Sequence, residues 1–179
     1  MFDDGYRGLR DHAFPVLADA GFPAICAVVT DYAGRLNRWD LAVGGRRFAH
    51  LAWRDMERWA TRGVAFVSHT ATHRRLTWLP PRQALEECAR SRDAIGDVLG
   101  APPRALCYPF GAAGERERRI ARETGYSIGF TTTSEWRGDM MAVPRTPVYP
   151  WSSRMPSGVF VARVMARLSI AVSAWQQLA

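Results

Sequence analysis

Residues 64–73 read VAFVSHTATH and join a short apolar run to two histidines. The run at 64–67 is continuous and apolar, so it predicts a buried strand of a parallel sheet. His69 follows at the carboxyl end of that strand, and His73 lies four residues further on. On one turn of helix, or in a tight loop, two imidazoles at this spacing face the same way. The stretch therefore indicates a metal site at the end of a strand.

The chain on either side alternates between strand-like and helix-like patterns. We predict strands at 24–30, 64–67, 104–108, 127–133 and 143–149, and helices at 9–20, 53–62, 81–99, 115–123 and 158–178. Pro15 is expected to kink the first helix, and residues 31–50 read as a polar loop. This order is the βαβ pattern of an α/β protein with a parallel sheet, either open or closed into a barrel.

A pair of carboxylates lies at residues 1–6, MFDDGY. Two adjacent acids repel each other, and one resists ionisation unless a cation or hydrogen bonds hold both. Taken alone, Asp-Gly is also a common turn pair with solvated acids. Together with the two histidines, one of these carboxylates makes a facial site of two imidazoles and one carboxylate, with positions left open for water and substrate.

Three motifs carry a resemblance to a known family. Asp3-Asp4-Gly5-Tyr6, His69-Thr70-Ala71-Thr72-His73 and Tyr108-Pro109-Phe110-Gly111 occur in this order. They resemble the first three motifs of the polysaccharide deacetylases, the NodB-like carbohydrate esterases. The resemblance implies an irregular (β/α) barrel with fewer than eight strands, in one domain over residues 1–179. It also implies a strand ahead of Phe2, so we expect the domain to be incomplete at its amino end.

The resemblance assigns a role to each motif residue. Asp4, His69 and His73 are implied to hold a divalent metal, with Zn²⁺ favoured and Co²⁺, Ni²⁺, Fe²⁺ or Mn²⁺ suited to the same ligands. Asp3 is implied to be the general base, and the hydroxyl of Thr70, with those of Ser68 and Thr72, to orient the imidazoles. Tyr108, Pro109 and Phe110 are implied to form one wall of the groove, with the backbone N–H of Phe110 in an oxyanion hole.

Two features depart from the family pattern. Cys107 stands where many members have an arginine that pairs with the base, which leaves open what orients Asp3. A general acid is also missing, because no histidine follows His73. His12 and His50 are the remaining candidates, although a lone histidine is more often structural.

Other residues are candidates for contact with substrate. Asn37, Trp39 and Asp40 lie in a segment that recurs in some relatives and could reach a sugar, and a plain surface loop is the alternative. Arg145 follows or lies within a late strand and is a further candidate for the site.

Composition limits the partners. The chain has 179 residues, 47% of them apolar and 23% charged, and its net charge of +7 comes with 24 basic residues that are all arginine. A basic balance suits an anionic partner, but no motif for nucleic acid is present. Cys26, Cys88 and Cys107 form no disulfide framework. Without a signal peptide or an apolar span, the sequence as given predicts a cytoplasmic protein. The helix at 158–178 is amphipathic, and we expect it to pack on the domain rather than lie on a membrane surface.

The resemblance, together with this ligand pattern, thus implies a metal-dependent deacetylase acting on an acetylated glycan, N-acetylated or O-acetylated. Two alternatives remain open at this point. One is hydrolysis of a non-sugar amide or imide, and the other is a truncated, non-catalytic remnant that binds glycan or membrane.

Overall fold

The computed structural model describes residues 1–39, 47–132 and 138–148. The last predicted helix, at 158–178, lies outside these residues. The described chain forms a five-stranded parallel sheet in the order β1-β2-β3-β4-β5. The strands are β1 (Ala24–Val28), β2 (Val64–Ser68), β3 (Ala105–Cys107), β4 (Ile128–Thr131) and β5 (Val143–Pro144). This confirms the α/β prediction.

One helix precedes β1, and the other three lie between consecutive strands. The helices are α1 (Phe14–Asp19), α2 (Trp53–Ala60), α3 (Pro81–Leu99) and α4 (Glu115–Glu123). Short 3₁₀ turns occur at Thr30–Tyr32, Leu76–Trp78, Pro109–Gly111 and Met140–Ala142. None of the helices in the described ranges is long and apolar enough to cross a bilayer.

Proline and glycine residues mark several of the helix boundaries. Helix α3 begins at Pro81, where a missing N–H costs nothing, and ends before Gly100, which takes the left-handed conformation at φ 81°. The predicted helix at 9–20 is instead a π-helical turn at Leu9–Ala13 followed by α1. Pro15 then lies in the first turn of α1, where it disrupts no hydrogen bond of that helix.

The amino-terminal residues extend the sheet. Phe2 forms a parallel bridge with Cys26 of β1, donating its N–H to Ile25 and accepting from Ala27, both at 2.8 Å. Asp3 and Asp4 follow at once, so they leave this edge in the same direction as the carboxyl ends of the strands. Gly5 turns the chain at φ 68°, where an added Cβ would lie 2.9 Å from Val28 Cγ1.

Apolar side chains fill both faces of the sheet. On one face Phe14, Met56, Trp59 and Phe66 pack with Ile95 under α1, α2 and α3, and further along it Leu106 and Tyr108 pack with residues of α3 and α4. The opposite face carries a small cluster built on Ala27, Val67, Ala105 and Cys107. All three cysteines are free and buried.

Candidate metal and active site

Four segments meet at the carboxyl edge of the sheet. Asp3 and Asp4 follow the Phe2 bridge, the histidine loop (residues 69–73) follows β2, the turn Pro109–Gly111 follows β3, and Arg145 follows β5. Carboxyl ends of parallel strands lie at one edge, so residues far apart in sequence become neighbours there. The structure brings together most of the residues that the sequence singles out.

Asp4, His69 and His73 converge on one point. Asp4 Oδ1 lies 3.5 Å from His69 Nε2 and 3.3 Å from His73 Nε2. The three ligand atoms all lie within 4.8 Å of one another. Asp4 Oδ1 is buried and accepts no hydrogen bond from the described residues. One oxygen and two imidazole nitrogens are the donors that a divalent transition metal prefers, so this set fits such an ion.

The electrostatics of Asp4 also favour a positive neighbour. Burial raises the pKa of this carboxyl, but the two imidazoles outweigh burial and hold the pKa well below its ordinary value. The carboxylate is therefore ionised throughout the physiological range.

The main chain of the histidine loop is fixed by hydrogen bonds. The N–H of His73 donates to Thr70 Oγ1 at 3.1 Å, and the N–H of Thr70 donates to Ser68 Oγ at 3.1 Å. Ser68 Oγ in turn bonds Ser91 Oγ of α3 at 2.8 Å. The hydroxyl of Thr70 therefore acts on the backbone of the loop and not, as expected from the sequence, on an imidazole ring.

Glu87 of α3 holds the middle of the same loop. Its carboxylate accepts from the N–H of Thr72 at 2.8 Å and from the Thr72 hydroxyl at 2.5 Å, and its backbone oxygen accepts from the N–H of Ala71 at 3.2 Å. Sequence reasoning missed Glu87. A signal was present, because this acid lies three and four residues from Ala84 and Ser91, on the buried face of α3.

The ring of His69 is oriented by the neighbouring strand. His69 Nδ1 lies 2.7 Å from the backbone oxygen of Cys107. A carbonyl oxygen can only accept, so Nδ1 carries a proton, and a metal bound here would take the lone pair of Nε2. The ring of His73 lies between Trp39, stacked at 4.9 Å between centroids, and Phe110, edge-on at 4.9 Å.

Arg145 holds Asp3. Its Nη1 donates to Asp3 Oδ1 at 2.6 Å and its Nη2 to Asp3 Oδ2 at 3.0 Å, a bidentate pair. Burial raises the pKa of Asp3, but His69 and Arg145 outweigh burial and lower it below the ordinary value. The structure thus supplies what Cys107 cannot: an arginine beside Asp3, contributed by the segment after β5.

A second possible ligand cluster overlaps the first. Asp3, His69 and Cys107 also lie within ligand distance of one another. Arg145 Nη2 donates to Cys107 Sγ at 2.8 Å as well as to Asp3. A guanidinium already neutralises this corner and repels a further cation, so Asp4, His69 and His73 are the set better suited to a metal.

The turn after β3 presents Phe110 and hides its neighbours. Phe110 has φ 59°, and Gly111 follows at φ 62°. The amide of Phe110 lies in the first turn of a 3₁₀ helix, where backbone N–H groups lack intrahelical acceptors. Tyr108 is fully buried and packs in the core beneath α4, and Pro109 is buried as well. Of the three motif residues expected to form a groove wall, Phe110 is the one left partly exposed, because the strand pleat turns the Tyr108 ring inward.

The predicted substrate loop divides into separate parts. Trp39 lies beside the metal ligands, between His73 and His50. Asn37 is buried, and its Oδ1 accepts from the N–H of Phe48 at 2.8 Å, so it closes the loop instead of facing a groove. Asp40 lies outside the described residues.

The two candidate acids have different surroundings. His12 is exposed on the π-helical turn. His50 is buried, and its Nδ1 donates to the backbone oxygen of Asp4 at 2.8 Å. Burial lowers the pKa of His50 more than Asp4 raises it, so the ring is neutral near pH 7 with its N–H committed to the Asp4 carbonyl. Its position supports the Asp4 turn and does not provide a ready proton donor.

Comparison with known proteins gives consistent results. The sequence profile of the polysaccharide deacetylases matches residues 1–129. YxkH of Bacillus subtilis, a protein named for polysaccharide deacetylation, is 29% identical over 164 residues, which are 89% of this chain and 54% of YxkH. The chain therefore spans about half the length of this curated relative.

Solved structures share the fold. IcaB from Ammonifex degensii superposes with a TM-score of 0.73 at 27% identity, over 90% of this chain and 70% of IcaB. The Streptococcus pyogenes deacetylase PplD, solved in complex with acetate, has a TM-score of 0.73 at 23% identity, over 90% of this chain and 67% of PplD. With the matched sequence profile and the ordered motifs at one sheet edge, these likenesses establish that the chain belongs to the polysaccharide deacetylase family, the NodB-type carbohydrate esterases.

Proposed function

We propose that this chain is a metal-dependent hydrolase that removes acetyl groups from N-acetylated, or alternatively O-acetylated, sugars of a glycan. The observation that carries the proposal is the convergence of Asp4 Oδ1 with the Nε2 atoms of His69 and His73, 3.3 to 3.5 Å apart, beside a second carboxylate. Membership of the deacetylase family supports the reaction class.

Asp4, His69 and His73 would hold the metal, with Zn²⁺ the first candidate. When bound, such an ion polarises a carbonyl and lowers the pKa of water. Asp3 is the general base in this proposal, because it is the carboxylate next to Asp4 and is not one of the proposed metal ligands. The bidentate contact from Arg145 keeps Asp3 ionised and fixes its orientation, so it is ready to accept a proton from the attacking water.

Phe110 and Trp39 contribute to the binding of substrate. In this proposal the N–H of Phe110 donates to the oxygen that becomes negative as water adds to the acetyl carbonyl. The rings of Phe110 and Trp39 flank His73 on two sides. Apolar walls of this kind suit the C–H faces of a sugar and exclude water from the reacting atoms.

The test is release of acetate from N-acetylated oligosaccharides, measured with metal content on the same preparations. We expect one metal ion per chain, acetate release that stops on chelation, and recovery when Zn²⁺ is returned. His73→Ala is expected to lose both metal and turnover. Asp3→Asn is expected to keep the metal and lose at least about a hundredfold in kcat, the contribution typical of a general base.

Two results would contradict the proposal. One is ring opening of cyclic imides without acetate release, which would assign the site to another amide bond. The other is metal binding that survives His73→Ala, since the ligands would then be different residues.

A further inference from the structure

A cavity of about 550 Å³ opens beside the proposed metal site. It is lined by Asp31, Tyr32, Arg35, Leu36, Arg38, Arg47 and Thr72, and we call it the arginine cavity. Thr72 is the chain neighbour of His73, and Glu87 fixes it in place. Tyr32 touches Trp39 at 4.4 Å between ring centroids, and Trp39 in turn stacks on His73. The cavity therefore lies next to the site at which we place the acetyl group, with Trp39 between Tyr32 and His73.

The lining of the cavity is strongly positive. Three arginines face one acid, and that acid, Asp31, is already paired through Oδ2 with Arg90 Nη2 at 2.7 Å. Elsewhere most of the interactions of arginine are with carboxylates, as in the pairs of Arg10, Arg116, Arg122 and Arg145. Within residues 1–39, 47–132 and 138–148, no carboxylate pairs with any of the three cavity arginines. Three like charges around one space repel each other, and an anion in that space would relieve the repulsion.

The arginines are carried on a fixed backbone. Residues 35–37 run antiparallel to residues 48–50, with a bridge between Leu36 and Ala49. The N–H of His50 donates to the backbone oxygen of Arg35 at 2.8 Å, and the N–H of Asn37 donates to that of Phe48 at 2.9 Å. Backbone hydrogen bonds thus fix the main chain at Arg35 and place Arg47 next to the bonded residue Phe48. The three arginine side chains are exposed, and each guanidinium group can match carboxylate or phosphate oxygens in pairs.

We propose that the arginine cavity binds an anionic group, a carboxylate or a phosphate, on a sugar close to the acetylated one. The proposal rests on the proposed function and names its substrate class: an acidic N-acetylated glycan. The metal site takes the acetamido group, Trp39 and Tyr32 pack against the chain of sugars, and the cavity takes the charge of a neighbouring unit. Selectivity for acidic over neutral glycans follows, because a neutral sugar leaves the three guanidinium groups without a carboxylate partner among the described residues.

The experiment compares glycans that differ in charge alone. The probes are a hyaluronan hexasaccharide, the same hexasaccharide with its carboxyl groups reduced to alcohols, and an oligomer of N-acetylglucosamine 1-phosphate. Binding is measured by calorimetry on metal-loaded protein in the Asp3→Asn background, which removes turnover, at roughly 50 mM and roughly 200 mM salt. The triple variant Arg35→Gln, Arg38→Gln, Arg47→Gln is compared with Arg104→Gln, an exposed arginine at the opposite, amino end of β3.

We expect the charged hexasaccharide to bind about tenfold more tightly than its reduced form at the lower salt, with a smaller advantage at the higher salt. The triple variant should lose the advantage while its affinity for the reduced form stays the same, and Arg104→Gln should keep it. The preference between uronate and phosphate probes then identifies the source of the charge.

Equal affinity for charged and reduced forms overturns the proposal, as does an advantage that survives in the triple variant or the absence of any binding. Acetate release by the protein with Asp3 intact is measured separately. Charge-selective binding without acetate release would refute the proposed function and leave the arginine cavity standing. Acetate release without charge-selective binding would support the proposed function and refute the role of the arginine cavity.

Discussion

Replacing Arg145 with glutamine should weaken catalysis without removing the metal. The side chain of Arg145 is 18% exposed and that of Asp3 is 39% exposed, so solvent screens the pair only in part. Hydrogen bonds to charged groups contribute about 1.5–3 kcal/mol, and partial exposure places this pair toward the lower half of that range. Since about 1.4 kcal/mol corresponds to tenfold in rate, kcat/KM at neutral pH should fall roughly tenfold to thirtyfold.

The pH profile should move in a definite direction. Asp3 acts as a base only when ionised, so activity falls as pH drops through its pKa. Arg145 lowers that pKa, and its removal therefore raises the pKa and shifts the acid limb of kcat/KM to higher pH. Arg145→Lys keeps the positive charge and loses the bidentate contact. It should therefore reduce kcat/KM but shift the acid limb of the pH profile less than Arg145→Gln does.

The assay is acetate release across a pH series, with metal content and chemical unfolding recorded for each variant. Arg122→Gln is the matched control, because Arg122 forms an exposed pair with Asp139, away from the metal ligands. An unchanged kcat/KM in folded, metal-loaded Arg145→Gln would refute the assignment of Asp3 as a base held by Arg145. An acid limb that moves to lower pH in Arg145→Gln would refute the inference that Arg145 lowers the pKa of Asp3.

Three further predictions concern the frame around the site. His50→Asn keeps an N–H donor at the position of Nδ1, where it can reach the backbone oxygen of Asp4, whereas His50→Gln moves the donor to the position of Nε2. Metal titration should therefore show near-normal metal affinity for His50→Asn and about tenfold weaker affinity for His50→Gln. Equal metal affinities of the two variants would contradict this. Gly111 has φ 62°, and Gly111→Ala puts a Cβ 2.6 Å from the backbone nitrogen of Thr132. This change should lower the free energy of unfolding by at least about 2 kcal/mol. A loss below about 0.5 kcal/mol in denaturant titrations would refute this prediction. Glu87→Gln leaves one donor of the histidine loop unsatisfied and should cost about 1–3 kcal/mol on the same assay, while the exposed neighbour change Glu86→Gln should have no measurable effect.

The helices were predictable where proline or glycine residues mark their ends. Helix α3 was predicted at both ends because proline begins it and glycine ends it, and α4 likewise lies between glycines. Apart from β2, which extends one residue beyond its prediction, the strands were predicted too long. The apolar run at 24–30 is a strand only to Val28, because the N–H groups of Thr30 and Asp31 turn toward the histidine loop and donate to Thr70 and Ala71. Such tertiary hydrogen bonds leave no periodic trace in the sequence.

The convergence of Asp4, His69 and His73 was predictable from the sequence, but the residues that support them were not. Motif order indicated these three residues because each motif follows a strand. The partner of Asp3 is separated from it by 142 positions, and nothing local to Arg145 identifies it. Pairing at that distance depends on how many strands lie between the two segments and on their order, which is a property of the sheet and not of either segment.

The backbone at the site explains a further limit of prediction. Among the described residues, the four non-glycine residues with positive φ are Asp4, Thr70, His73 and Phe110, at 59–67°. Two of them lie in the histidine loop, so the loop cannot be a turn of α-helix, which needs negative φ throughout. The tight loop was one of two alternatives that the spacing of the histidines allowed, and only the backbone decides between them.

Glycine would occupy all four positions with less strain, since a side chain in this conformation costs about 1–2 kcal/mol at each. Each position instead carries a group that the proposed function uses: a carboxylate and an imidazole for the metal, a hydroxyl for the His73 amide, and a ring and amide for the acetyl group. Strain of this kind persists only where surrounding contacts fix the conformation. His50 on the Asp4 carbonyl, and Ser68 and Glu87 on the histidine loop, are those contacts. The polar residues around the ligands therefore act mainly on backbone geometry, which is why they bond the main chain of the site more than its rings.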